Sequence, residues 1–180
     1  NPKMTLTSNA KAGRWEQKLE KEQAALVIGF PTVGFHHADS YTLKLIDEAC
    51  SDMGSRLFNR IREELGLAYY VGAQAFHVTG CGAFYFYVGT DPAKLDQAEA
   101  EMLRLIKDLA KDGLDSAELQ RAKSTWRTSW LRSQQGTAGI ADMLSWNELV
   151  GHGWQHHQKL PGIMETIGLQ EVRWSRSEEH

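Results

Sequence analysis

Seven histidines are the first residues to weigh for chemistry. His152 and His156 stand four apart, the spacing that puts two imidazoles on one helical face. Gly153 lies between them, and no nearby Asp or Glu supplies a third ligand at a metal-binding spacing. Neither His-x-x-Glu-His nor a longer His/Glu/His pattern occurs in either direction. A solvated, histidine-bearing loop is the plainer reading. His36 and His37 are adjacent and point apart, which does not suit a shared metal. Nucleophiles fare no better. Cys50 falls on an apolar helix face and Cys81 in a glycine-flanked turn, where a free thiol usually acts as a small hydrophobe. There is no Gly-x-Ser-x-Gly elbow and no phosphate-cradling glycine loop.

The informative stretch runs from Gly54 to Val71. On a helical wheel of about 100° per residue, Leu57, Phe58, Ile61 and Leu65 form an apolar stripe. Arg56 and Arg60 fall on the opposite, solvated side. Arg62 falls on the shoulder of the stripe, where a guanidinium must find a partner or open onto a cleft. Gly66 then turns the chain, and Tyr69 begins a strand close to that helix end. A fixed cation beside a phenol can bind a carbonyl or stabilise an oxyanion. A structural arginine with a carboxylate partner, and a tyrosine at the edge of the core, would account for the same residues.

The elements that must position this pair are legible in outline. Residues 1–12 read as an extended lead-in, and 14–20 as a weak strand. Residues 24–31 form a strand apolar on both faces, which places it centrally in a sheet. Helices follow over 40–52 and 56–65, the second with Ser55 as N-cap and Gly66 just past its end. Residues 68–77 and 83–88 are β-rich and flank turn chemistry at 79–82, which makes a hairpin. A long helix begins near Asp91-Pro92 with an apolar stripe through Leu95, Ala98, Met102, Leu105 and Leu109. Asp115 and Glu118 read as a capping box for the next helix, whose buried face carries Leu119, Ala122, Trp126 and Trp130. A further helix spans 140–150, and the chain from 160 is helical in pieces. Runs of strands and runs of helices argue α+β: a mostly antiparallel sheet with helices packed on one face. Tyr85 and Tyr87 alternate with Phe84 and Phe86, so both sheet faces are aromatic and the second calls for a covering partner.

With 180 residues the chain makes one domain, and 42% hydrophobic with 24% charged residues excludes disorder as its main state. A formal charge of −3 leaves no electrostatic footprint for nucleic acid. Two cysteines allow one bridge but no disulfide framework. No apolar run is long enough for a transmembrane segment. The ends, Asn1-Pro2-Lys3-Met4 and Ser177-Glu178-Glu179-His180, read as cut from something longer and reveal no compartment. A soluble protein of the bacterial cytoplasm or periplasm is the expectation.

Ser55-Arg56-Leu57-Phe58, then Arg62-Glu63-Glu64 and Gly66-Leu67-Ala68-Tyr69, resemble the second-half domain of the pitrilysin/insulinase-type zinc metallopeptidases, which include mitochondrial processing peptidase. The likeness covers roughly residues 14 to 150, with residues 151–180 less well matched. It implies one half-domain spanning 1–180 that holds no metal, facing a homologous zinc-bearing domain supplied in cis or as a separate subunit. Arg62 and Tyr69 match the pair that, in such enzymes, binds the substrate backbone and steadies the tetrahedral intermediate. The implied function is the metal-free half of a zinc-dependent endopeptidase acting on a peptide substrate, inactive as an isolated fragment. No cofactor is expected in this chain, and zinc is expected in the partner. The alternatives are a non-catalytic scaffold or assembly domain of the same fold, and a free-standing ligand-binding module.

Overall fold

The computed structural model describes residues 12–173. The lead-in therefore lies almost wholly outside the described residues, as does Trp174. Strand β1 (Ala24–Thr32) precedes helix α1 (Asp39–Ser51) and a π-helix (Phe58–Glu64). Strands β2 (Tyr70–Val78) and β3 (Cys81–Thr90) follow as a hairpin. A 3-10 turn (Pro92–Lys94) leads into α2 (Leu95–Asp112), then α3 (Ser116–Ser133) and α4 (Thr137–Leu149). A second 3-10 turn (Trp154–Gln158) and α5 (Leu160–Thr166) complete the described chain. This is an α+β domain with an antiparallel sheet, as expected.

The sheet order is β1-β3-β2. The aromatic strand β3 is therefore central, and β1, expected there, is an edge. Its two apolar faces have separate uses. Leu26, Ile28 and Phe30 pair with Val88, Phe86 and Phe84 and face the core with Val71 and Ala73. Val27, on the other face, is 61% exposed. Residues 14–20 form no strand; they are extended chain in solvent. The alternating pattern there is too polar to bury a face.

Helices cover one face only. The stripe of α2 packs through Ala98, Met102, Leu105 and Leu109, and α3 through Leu119 and Ala122. Helix α1 lies along the outer edge of β2. Its Ser51 hydroxyl accepts from the Ala73 N–H at 3.1 Å and donates to the Ala73 carbonyl at 2.7 Å. Asp47 accepts from the Ala75 N–H at 3.3 Å. Two short polar side chains thus occupy backbone groups that would otherwise template pairing with another strand.

The predicted caps form. Ser55 Oγ accepts from the Phe58 N–H at 3.0 Å. Asp115 and Glu118 make the reciprocal capping box that starts α3. Glu118 has a second duty that corrects the sequence reading of Arg56. Arg56 is not on a solvated side. It donates from Nε to Glu118 at 2.8 Å, from Nη2 to the other oxygen of Glu118, and from Nη2 to the Gly113 carbonyl at 3.0 Å. The start of the π-helix is thereby fastened to the α2–α3 junction. Arg60 is likewise paired, with Glu64 and Glu101, both at 2.7 Å.

Breaking one partner of a buried pair strands the other. Glu118→Gln should lower stability by about 2 kcal/mol, less than a wholly buried pair would cost because Arg56 keeps some solvent contact. Arg60→Ala, on the exposed network, should barely move the urea midpoint. Equal effects of the two substitutions would contradict this account. The cysteines are both free. Burial among apolar groups pushes the Cys50 thiol up to about 12, whereas Cys81 is half-buried at the start of β3. One thiol per folded chain should react with a disulfide reagent at pH 8, and the second only after denaturation.

Candidate substrate-binding site

The chain between Arg62 and Tyr69 is held by a series of hydrogen bonds to its backbone. The Leu65 N–H donates to the Arg60 carbonyl at 3.2 Å, five residues back, which is the π-type register. The Leu67 N–H reaches the Ile61 carbonyl at 2.8 Å. Gly66 between them has φ +58°, the left-handed conformation that this helix ending requires. The turn is then tacked to the sheet. Buried Thr90 donates from Oγ1 to the Leu67 carbonyl at 2.5 Å. Lys94 Nζ donates to the Gly66 carbonyl at 3.0 Å, and the Tyr69 N–H to the Gly89 carbonyl at 2.8 Å.

This framework brings Arg62 and Tyr69 to one end of the sheet, on either side of a short fixed turn. Both are exposed, Tyr69 at 52%. Neither forms an ion pair or a side-chain hydrogen bond among the described residues. Among the described residues Arg62 thus has no carboxylate partner of the kind the alternative reading called for. Its guanidinium lies over the Phe58 ring, 4.9 Å from the centroid. Of the three arginines in the segment, Arg56 and Arg60 are committed to carboxylates and Arg62 is left available.

Next to this end begins the uncovered face of the sheet. Tyr70, Gln74 and Phe76 of β2, Tyr85 and Tyr87 of β3, and Val27 of β1 share it by register. Tyr70, Phe76 and Val27 are largely exposed. Tyr70 lies across Gly89, its cross-strand partner, so closely that any side chain there would collide with the ring. The Tyr85 hydroxyl donates to Gln74 at 2.5 Å. No residue of the three strands on this face carries a charge. Tyr70 was missed at the sequence level. The alternation through 70, 72, 74 and 76 was the signal that could have placed it on this face.

The metal question resolves in a similar way. Among the described residues, no group of three His, Cys, Asp or Glu is placed to hold a metal ion. His152 and His156 do come together, ring centroids 4.5 Å apart, but as stacked rings.

The comparisons agree with this fold. Residues 2–125 match the family model described as the peptidase M16 inactive domain. The chain belongs to this family. It is 31% identical over 157 residues to the uncharacterized zinc protease YmxG of Bacillus subtilis, a match covering 87% of this chain and 38% of that protein. A zinc protease of Rickettsia bellii is also 31% identical, over 84% of this chain and 37% of the relative. The chain thus spans well under half the length of these relatives. The fold matches the peptidase M16 inactive domain from Pseudomonas fluorescens with a TM-score of 0.77 at 18% identity, over 85% of this chain and 37% of that one. Among the described residues no helix is long and apolar enough to cross a membrane.

The Phe58 contact can be tested in the chain itself. Phe58→Leu keeps an apolar side chain but removes the ring face. A cation–π contact at an exposed site is worth roughly 0.5–1 kcal/mol. Side-chain Nε relaxation of Arg62 should therefore report greater mobility in Phe58→Leu, with wild-type behaviour retained in Phe58→Tyr. Unchanged relaxation in the leucine variant would mean that the ring does not hold the guanidinium.

Proposed function

We propose that this chain is the metal-free half of a zinc-dependent endopeptidase, and that Arg62 and Tyr69 serve a peptide bond presented against its open sheet face. The observation that carries this reading is the availability of Arg62. In a segment whose other arginines are ion-paired, it alone is exposed without a carboxylate, in a domain of the M16 inactive-domain family. An unpaired guanidinium, supported only by a ring, can donate to substrate carbonyls through its planar fork. Tyr69 supplies a phenolic donor whose backbone is pinned to β3.

The zinc would be held by the partner half, and when bound it would supply the activated water. The residues of this chain then do two things. Arg62 grips the substrate main chain and orients it. Tyr69 donates a hydrogen bond to the carbonyl oxygen as its carbon becomes tetrahedral, when that oxygen is a better acceptor than in the ground state. The aromatic face receives the flanking substrate residues through apolar contact and offers them no charge.

Losing one preorganised donor usually costs about a hundred- to a thousandfold in turnover. In the complete protein with its zinc-bearing half, Tyr69→Phe should reduce kcat by about that factor while leaving KM and the melting temperature nearly unchanged. Elemental analysis of the 180-residue chain should find no stoichiometric zinc. Wild-type turnover in the phenylalanine variant would remove Tyr69 from the reaction.

A further inference from the structure

Far from the Arg62 turn, three histidines that are remote in sequence meet. The loop after β1 contributes His36, and the segment after α4 contributes His152 and His156. The rings of His36 and His152 lie 4.7 Å apart, and those of His152 and His156 lie 4.5 Å apart and nearly parallel. The Tyr41 hydroxyl, on α1, is 2.9 Å from His156 Nε2. His36 rests on Gly151, where φ is +84°. Beside the histidines, Phe35 meets Trp146 edge to face at 5.7 Å. These contacts join residues 35–41 to residues 146–156. They matter because α4 has little else to hold it. Only Asn147 in that helix is buried, and Ile140, Trp146 and Leu149 are exposed.

We propose that His36, His152 and His156 form a proton-operated clasp, which fastens the segment after α4 to the loop before α1 while His152 and His156 are neutral and releases it as these two take up protons. Positive charges on His152 and His156, whose half-buried rings are stacked 4.5 Å apart, repel strongly. The surroundings offer the protonated rings no carboxylate in compensation. On the α1 side, Tyr41 is neutral and burial raises its phenol further. Lys44 is spent on Asp47 and Glu48, and exposed Asp39 lies against His37. On the other side, Lys159 adds positive charge, Glu148 accepts from the Trp154 N–H, and His157 bonds the Trp154 carbonyl.

The direction of the pH effect follows. Burial, then the neighbouring His156 and His36, holds His152 below the ordinary imidazole range, against a hydrogen bond to the Phe35 backbone. Burial, then Lys159, does the same for His156. The released segment therefore binds protons more readily than the fastened one. The clasp is fully closed above the ordinary imidazole pKa of about 6.5 and weakens as pH falls below it.

The test is amide hydrogen exchange on the whole chain, corrected for intrinsic chemistry, together with an NMR titration of the imidazoles. Protection at His152, Gly153 and His156 should fall by roughly tenfold or more between pH 7.5 and 5, while β3 keeps its protection. In His152→Gln/His156→Gln that pH dependence should vanish. Tyr41→Phe, a milder change, should shift the release to higher pH. Protection that is independent of pH in the wild type would overturn the clasp. So would an equal loss in the double variant, or wild-type His152 and His156 titrating at or above the ordinary value.

Discussion

The hydrogen bond from Thr90 to the Leu67 carbonyl sits where the two halves of the candidate site are joined. Thr90 ends the central strand, and Leu67 lies between Arg62 and Tyr69, two residues before the tyrosine. A buried hydroxyl bonded to a carbonyl in a dry site has a fixed direction and no competing water. With the Gly89–Tyr69 backbone bond beside it, the turn has no freedom to slide along β3. The position of Tyr69 is therefore set by the sheet, and that of Arg62 by the helix that the turn terminates. Neither depends on a contact between the two side chains. Two residues placed this way can stay exposed while their backbone positions are fixed, because order is imposed through the main chain.

Much of this was readable from residue types. The Ser55 cap, the Gly66 stop, the Asp115/Glu118 box and the hairpin across residues 79–80 all depend on local chemistry that a sequence displays directly. The stripe of α2 did so as well, because its period repeats over five turns. Other features depend on partners distant in the chain. The helix preceding Gly66 closes in a π register, since its last N–H groups are drawn to Arg60 and Ile61 by a turn that Thr90 fixes from elsewhere. An ideal helical wheel cannot anticipate that, nor can it place Arg56, whose carboxylate partner is 62 residues away. The place of β1 failed for a related reason. An apolar strand at the margin of a sheet looks the same in sequence as one at its centre, and only the pairing of β3 with both neighbours distinguishes them.

The two faces of the sheet show how the same kind of residue is put to different uses. Phe84 and Phe86 have no polar atom and are sealed beneath α2. Tyr85 and Tyr87, one residue out of phase, point the other way with their hydroxyls retained. A surface meant to stay permanently covered is best built from side chains that lose nothing on leaving water. A surface that must be wet between encounters needs apolar bodies with polar tips, which is what tyrosine provides. The Tyr85–Gln74 bond keeps one such tip satisfied within the face itself. On the proposed reading, the absence of charge among these strand residues lowers the desolvation cost of an extended chain settling on the face, since no ion has to be stripped of water. The edge of β2 is meanwhile occupied by Ser51 and Asp47, so contact is directed to the face rather than to the row of Ala73 and Ala75 backbone groups. Ion pairs such as Arg56–Glu118 and Arg60–Glu101 hold helices together, while none of the strand residues on the open face is charged.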